Sequence, residues 1–166
     1  LCGHNRTRNR FGIISYLSDE ETLLSSTQIF ENGEIWGIDS DVMTITQQRH
    51  GDSVRVLPSA TLERIFIDAT PHYLNFAWNN FDYPEEVYVE GGLSSAKGFH
   101  IGMGRGYRDP FWGPIFKEEV VATSLVIRSD EGSITASVLK ILNGIFHAAG
   151  KPRPENHNNF PSDQRA

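Results

Sequence analysis

The chain has 166 residues, of which 39% are hydrophobic, so it is long enough to bury one sizeable core. Its formal charge of −6 argues against a nucleic-acid footprint over the whole surface, because phosphate binding depends on clustered Lys and Arg. An apolar run of about 18 residues is missing, which argues against a membrane span. The single cysteine, Cys2, excludes a disulfide within the chain, and these features together favour a cytoplasmic protein.

A basic segment lies near the start of the chain, where Arg6, Arg8 and Arg10 occur with no acidic residue between them. If a strand carries these alternate positions outward, the arginines form a row of like charge on one face, and each can contact a nucleic-acid phosphate. The favoured alternative is a solvated basic linker over residues 1–10. Because the first residue is not methionine, we expect a piece of a longer protein or a processed product.

A β-hairpin is the clearest local prediction. Residues 24–30 and 34–38 flank Asn32-Gly33, the dipeptide that best tolerates the two positive φ angles of a type I′ turn. Residues 11–17 predict a preceding strand. The next predicted strands are a short one at Val42, Met43 and Ile45 and another over residues 54–57.

The first helix is predicted to begin after residue 58. Ser59 is placed to cap it, and Pro71 predicts a kink or a break, because proline removes an amide donor and crowds the preceding turn. Apolar residues at helical spacing predict one buried stripe. They are Leu62, Ile65, Phe66, Ala69, Tyr73, Phe76 and Ala77.

Three strands and a second helix are predicted in the remaining chain. Residues 87–89 and 99–103 alternate as two strands that pair antiparallel with each other, and residues 118–128 form a third. The helix is predicted to be capped by Ser133 and to end at Gly150, which supplies a left-handed C′ position. Its buried stripe comprises Ile134, Val138, Ile141, Leu142, Ile145 and Ala149.

These elements predict a single α+β domain over residues 1–152, made of mostly antiparallel sheet with two main helices. Residues 153–166 are polar and rich in Pro and Asn, and they predict a tail that leaves the core or leads to another segment. We find no internal repeat.

The glycine-rich middle of the chain is the first place to look for a partner. Seven of the 15 glycines fall between residues 91 and 113, and glycine lets the backbone approach another surface closely. Aromatic and arginine side chains dominate the binding energy of protein interfaces. The segment therefore predicts a protein interface at Tyr107, Arg108, Phe111 and Trp112.

Direct nucleic-acid binding is the alternative for the same segment. Arg105 and Arg108 would contact phosphates while the neighbouring aromatic rings stack on bases, a contact worth about 1–3 kcal/mol per base. The nearby carboxylates disfavour this alternative because they repel a polyanion. They are Asp109, Glu118 and Glu119.

A hydrolase or nuclease is the third hypothesis, with His100 as a general base oriented by Asp109 or Glu119, provided that these groups come within about 3 Å. The six histidines are scattered and lack the spacing or the Cys partner of a zinc site. The glycines of residues 102–106 lack the spacing of a phosphate-binding loop. We therefore predict no catalytic residue, no metal and no cofactor.

Six segments of the chain carry a family resemblance: RNRFGIISY at residues 8–16, STQIFENGEI at 26–35, Pro58-Ser59, GGL at 91–93, KGF at 97–99 and IFHAAGKPRP at 145–154. They resemble the region that follows the AlbA-like (Schlafen-type) DNA-binding domain in a family of bacterial multidomain proteins, and the resemblance covers most of the chain. One stretch, YRDPFWGP at residues 107–114, departs from the family pattern.

The resemblance implies a C-terminal companion module in proteins described as DNA-binding or ATP-binding regulators, some of them linked to defence. The AlbA-like domain itself would precede Leu1, so none of its binding residues carries over. We predict a non-catalytic module that docks a second copy or another domain through residues 104–114 or an exposed sheet edge. In this role it would position or oligomerise an upstream nucleic-acid-binding domain.

Overall fold

The computed structural model describes residues 5–19, 22–49, 51–81, 83–102, 112–155 and 157–161. Backbone contacts divide the chain into two compact units, Leu1–Thr44 and Ile45–Ala166, where the sequence predicts one domain. Two α-helices and largely antiparallel sheets give the α+β fold that the sequence predicts.

The first unit is a four-stranded antiparallel sheet in the order β1-β2-β3-β4. A 3₁₀ helix, Asp41–Thr44, follows it where the sequence predicts a short strand. The Asp39 side chain accepts a hydrogen bond from the Asp41 amide at 3.1 Å, and this local turn competes successfully with an extended backbone. The strands are β1 (Asn5–Asn9), β2 (Gly12–Asp19), β3 (Thr22–Phe30) and β4 (Ile35–Asp39).

The predicted hairpin at Asn32-Gly33 is confirmed, because β3 and β4 pair antiparallel around it. Its turn differs from the predicted type I′, since Gly33 has a φ of 90° and Asn32 does not have a positive φ. The Gly33 amide donates to the Phe30 carbonyl at 3.1 Å. One left-handed glycine after a tight turn is the usual solution for a three-residue hairpin loop.

The second unit combines a mixed sheet, a two-stranded ribbon and both helices. The mixed sheet has the order β5-β6-β8-β9, and the ribbon pairs β10 with β7. The elements are β5 (Thr46–Arg49), β6 (Asp52–Pro58), α1 (Ser59–Asn80), β7 (Glu86–Ser94), β8 (His100–Gly102), β9 (Trp112–Ile115), β10 (Val120–Arg128) and α2 (Glu131–Ala148).

The predicted antiparallel pairing of residues 87–89 with residues 99–103 is wrong. Strand β7 pairs along all nine of its residues with β10, whereas β8 lies parallel to β6 and antiparallel to β9. The longer register lets Val87 and Val89 pack on the cluster of Leu74, Ile127 and Ile134. The free energy gained by burying this apolar face outweighs the advantage of pairing with β8, which is closer in sequence.

Helix α1 departs from its prediction at two positions. Pro58 occupies the N-cap position without a side-chain bond, and Ser59 is the first helical residue. The Ser59 hydroxyl lies 3.0 Å from His157 Nε2, so it does not cap the helix. The helix also runs unbroken through Pro71, since Leu74 and Ala77 beyond it are buried and hold the last turns in place.

Helix α2 begins two residues before the predicted cap, because Asp130 rather than Ser133 is the N-cap. Gly150 has a φ of 79° and donates to the His147 carbonyl at 2.8 Å, while the Lys151 amide donates to the Phe146 carbonyl at 3.0 Å. This pair of bonds is a Schellman motif, which confirms the predicted stop. The predicted stripe is buried at every position: Ile134, Val138, Ile141, Leu142, Ile145 and Ala149.

The predicted departure of the tail from the core is wrong for its described residues. The Arg153 side chain is buried and forms an ion pair with Glu63 of α1, which is also buried. Arg153 further donates to the carbonyls of His157 and Phe160. The polar, Pro-rich segment is therefore held on α1 by the Arg153–Glu63 pair, while the same guanidinium binds two carbonyls of the segment itself.

Candidate interaction surfaces

Most of the predicted protein interface lies outside the described residues, namely Tyr107, Arg108 and Phe111, together with Arg105 and Asp109. Trp112 is the first residue of β9, and its backbone pairs with Gly102 of β8. Among the described residues, two other places are candidate interaction surfaces. They are the β1 edge of the first unit and the β7–β10 ribbon of the second.

The structure places two of the predicted arginines on a strand and not on a linker. Arg6 and Arg8 occupy alternate positions of β1, an edge strand, and both are exposed. Their β2 partners are Ser15 and Ile13, which fixes the arginines on one face of the sheet. Arg10 lies in the turn before β2, with its guanidinium 4.5 Å from the centre of the Phe11 ring.

Acidic residues offset this row of arginines. Arg8 lies 3.6 Å from the Glu31 carboxylate, and both side chains are well exposed. Residues 1–44 hold three arginines against seven acidic residues. An exposed pair of this kind adds little stability, but it lowers the positive potential that a phosphate would meet.

The exposed Trp36 side chain lies on the face of this sheet opposite Arg6 and Arg8, whereas Arg10 lies against Phe11, whose ring is near Phe30. Trp36, which is 58% exposed, contacts Phe30 at 5.3 Å between ring centres. Trp36 pairs with Gln28, Gln28 with Ile14, and Ile14 with Thr7. Because Thr7 alternates with Arg6 and Arg8, the Trp36 side chain and the two guanidinium groups project to opposite sides.

The β7–β10 ribbon has one covered face and one exposed face. Leu125 pairs with Val89, and these partly buried residues pack inward on the helices. Tyr88 pairs with Val126 on the other face, where they are 71% and 59% exposed. Val120, at the far end of β10, is also 59% exposed. Three large apolar side chains thus meet solvent on one side of the ribbon.

Polar contacts on the exposed face are concentrated on β7. Glu86 accepts from Arg128 at 2.9 Å, and Glu90 accepts from the Ser124 hydroxyl at 3.0 Å. Both carboxylates belong to β7, so the acidic charge of the ribbon lies along that strand. Strand β10 carries Arg128 at its end as its one charged residue.

The backbones of β7 and β10 lie very close together at Gly92. A Cβ atom at this position would lie 1.9 Å from the Val121 carbonyl oxygen. On the covered face, a Cβ at Gly144 of α2 would lie 2.5 Å from Thr123 Oγ1. Glycine is favoured at both places because atoms of Val121 and Thr123 occupy the space that a side chain would take.

The catalytic hypothesis centres on His100, which lies half-buried in β8. Of its two predicted orienting groups, Glu119 is exposed and Asp109 lies outside the described residues. Among the residues that the structure describes, no group of three or more His, Cys, Asp or Glu side chains is arranged to hold a metal. The fully buried carboxylate of Glu63 is bound by Arg153 and Asn158.

Sequence reasoning missed the ribbon as a surface. The alternation of Val87, Tyr88 and Val89 places Tyr88 on the opposite face from two core valines, and this signal was present. The pairing of β7 with β10 could not be read locally, because the strands are separated by β8 and β9. The 90 residues between Glu63 and Arg153 hid that ion pair in the same way.

Within the described part of the chain, neither helix is both long and apolar enough to cross a bilayer. Comparisons of the chain with protein-family models, with curated proteins and with solved structures found no match.

Proposed function

We propose that this chain is a non-catalytic interaction or oligomerisation module. In this proposal it accompanies an upstream nucleic-acid-binding domain in a bacterial regulatory or defence protein. The observation that carries the proposal is the exposed face of the β7–β10 ribbon, where Tyr88, Val120 and Val126 are 71%, 59% and 59% exposed. The upstream domain and its regulatory setting rest on the family resemblance of the sequence.

The chemistry of this face suits a protein partner. Tyrosine is enriched among the residues that dominate interface energy, and valine supplies apolar area that water solvates poorly. Contiguous exposed apolar residues rimmed by polar groups mark interaction sites more often than scattered single residues do. Here Tyr88 and Val126 lie side by side between the Glu86–Arg128 pair and the Glu90–Ser124 pair, and Val120 lies farther along β10.

The test is the mass of the full chain in solution, measured by light scattering from low to high micromolar concentration. The proposal expects the mass to rise above the 18.6 kDa of one chain as concentration increases. A Tyr88→Ser variant is expected to weaken the association, with Thr61→Ala, an exposed change on α1, as the control. A mass of one chain throughout, for every variant, contradicts self-association.

Direct nucleic-acid binding is the second candidate, and one observation favours it, the exposed row of Arg6 and Arg8 on β1. Two observations count against it. Glu31 lies beside Arg8, and Trp36 lies on the other face, whereas single-strand binding combines aromatic stacking with a basic groove on one side. Gel retardation of duplex and single-stranded DNA separates the candidates, because phosphate binding weakens steeply as salt rises.

A further inference from the structure

The free edge of β10 is the strongest unassigned feature in the described residues. Hydrogen-bonded and non-hydrogen-bonded pairs alternate in an antiparallel ladder. The Ser129 amide donates to the Glu85 carbonyl at 3.0 Å, one step beyond the last strand pair, which sets the phase of the alternation. It follows that Val121, Thr123, Leu125 and Ile127 turn their backbone groups toward β7.

The intervening residues of β10 turn their backbone groups away from β7. Arg128 agrees with this phase, because its amide donates to the Ser133 hydroxyl at 3.0 Å and not to β7. The described residues provide no backbone partner for the other four. These four are Val120, Ala122, Ser124 and Val126, and their amides and carbonyls form an open row.

Of the two nine-residue edge strands that the structure describes, β7 and β10, β10 is the one without a guard against pairing. Natural edge strands are protected by charged side chains, bulges or proline. Strand β1 carries Arg6 and Arg8, and β7 carries Glu86 and Glu90. The nine residues of β10 form an unbroken register, with no proline and with one charge, at Arg128.

We propose that the occupant of this edge is β10 of a second copy of the chain, paired antiparallel about a two-fold axis at Thr123. The inference deepens the proposed interaction function and rests on it. Val120 then lies opposite Val126 of the second copy, and Ala122 lies opposite Ser124. This register satisfies all four open backbone positions in each copy with about eight hydrogen bonds and joins two ribbons into one four-stranded sheet.

Charge favours the register centred at Thr123 over the register centred one residue later. When the pairing about Thr123 is extended past the strand ends, Arg128 of one copy comes opposite Glu118 of the other. A register centred one residue later, at Ser124, brings Glu118 opposite Asp130 and requires the Arg128 amide, which Ser133 already holds. Like charges directly opposite destabilise a sheet.

The alternative edge, β7, fits a second copy less well. Its outward backbone positions include Glu86 and Glu90, so pairing two β7 strands places four carboxylates along one seam. Pairing of β10 with β7 of the next copy leaves a free edge at each end and produces open polymers in place of a closed dimer. The mass distribution distinguishes these arrangements.

A charge-pattern experiment tests the register. In V120K/V126K, each lysine faces a lysine of the second copy, whereas in V120E/V126K each glutamate faces a lysine. Both positions are 59% exposed, so both variants are expected to fold, and matching far-ultraviolet circular dichroism spectra check this. The first variant also reduces the net charge from −6, so weaker association cannot be attributed to overall repulsion.

Sedimentation equilibrium of the full-length wild-type chain is expected to reach twice 18.6 kDa and no more. V120K/V126K is expected to raise the dimer dissociation constant at least tenfold, roughly the effect of one lost favourable contact, and V120E/V126K to restore it. Association that is indifferent to the charge pattern, or that continues past the dimer, overturns the β10 pairing and leaves the proposed function standing. A wild-type chain that stays monomeric overturns the β10 pairing together with self-association, and leaves the docking of another domain as the proposed function.

Discussion

Arg153 and Glu63 are 90 residues apart in sequence and form a buried bidentate ion pair. Arg153 Nε donates to Glu63 Oε1 at 2.8 Å, and Nη2 donates to Oε2 at 3.1 Å. The two side chains are 4% and 0% exposed. Since Asn158 also donates to Glu63 Oε2, both carboxylate oxygens are satisfied away from water.

Replacing Arg153 by methionine is expected to lower the free energy of unfolding by about 3–5 kcal/mol, because it leaves a buried carboxylate without its partner. Urea denaturation measures the change. The double variant E63M/R153M is the matched control, and it is expected to recover most of the loss, since an apolar pair of similar volume needs no partner charge. Equal stability of R153M and the wild type would show that the pair is not buried in solution.

Gly92→Ala is expected to destabilise the second unit by about 1–3 kcal/mol, the usual cost of overpacking. The added methyl group would meet the Val121 carbonyl oxygen, which belongs to the backbone and has little freedom to move. Thermal unfolding followed by circular dichroism checks this. Ser94→Ala, an exposed change on the same strand, should leave the melting temperature nearly unchanged.

Asp130→Ala is expected to cost about 1 kcal/mol, because it removes the N-cap of α2. The Asp130 carboxylate accepts from the Ser133 amide at 2.7 Å, and asparagine at this position is expected to keep most of the stability. Chemical denaturation of the two variants side by side gives the difference. A larger loss in Asp130→Asn than in Asp130→Ala would contradict the capping role.

Gly150→Ala is expected to destabilise the end of α2 by about 1–2 kcal/mol, since a residue with a Cβ atom pays this cost in the left-handed region. The φ of 79° at Gly150 is set by the two bonds that close the Schellman motif. Gly150→Asn is expected to cost less, because asparagine visits this conformation more readily. Hydrogen exchange of the Lys151 amide reports the local effect.

Self-association of the chain is expected to change little when sodium chloride rises from about 50 to about 200 mM. The β10 pairing depends on backbone hydrogen bonds and apolar contacts, whereas binding to DNA through several arginines loses orders of magnitude in affinity over the same range. Sedimentation at both salt concentrations gives the comparison. A steep salt dependence would point to an ionic interface in place of β10.

The sequence was sufficient for features that depend on neighbouring residues. The hairpin at Gly33 and the apolar stripe and glycine stop of α2 follow from local turn chemistry and from helical spacing. It was insufficient where distant residues compete for the same partner. Strand β8 pairs with β6 and not with β7, and nothing in the residues around Phe99 encodes that choice.

The candidate surface, too, could be predicted only where neighbouring residues determine it. The alternation of Arg6 and Arg8 could be anticipated, but their separation from Trp36 required the register of all four strands. The polar composition after Gly150 suggested a free tail. A charged residue can be buried when it forms an ion pair with a specific partner, and the composition of a segment does not show whether such a partner exists.

The distance along the chain between Glu63 and Arg153 also bears on how the protein is made. At roughly 5–20 residues per second, α1 leaves the ribosome several seconds before the arginine that neutralises its carboxylate. Until then Glu63 must stay hydrated, and the core beside α1 cannot close. The segment that carries Arg153 therefore completes this part of the domain when it docks on α1.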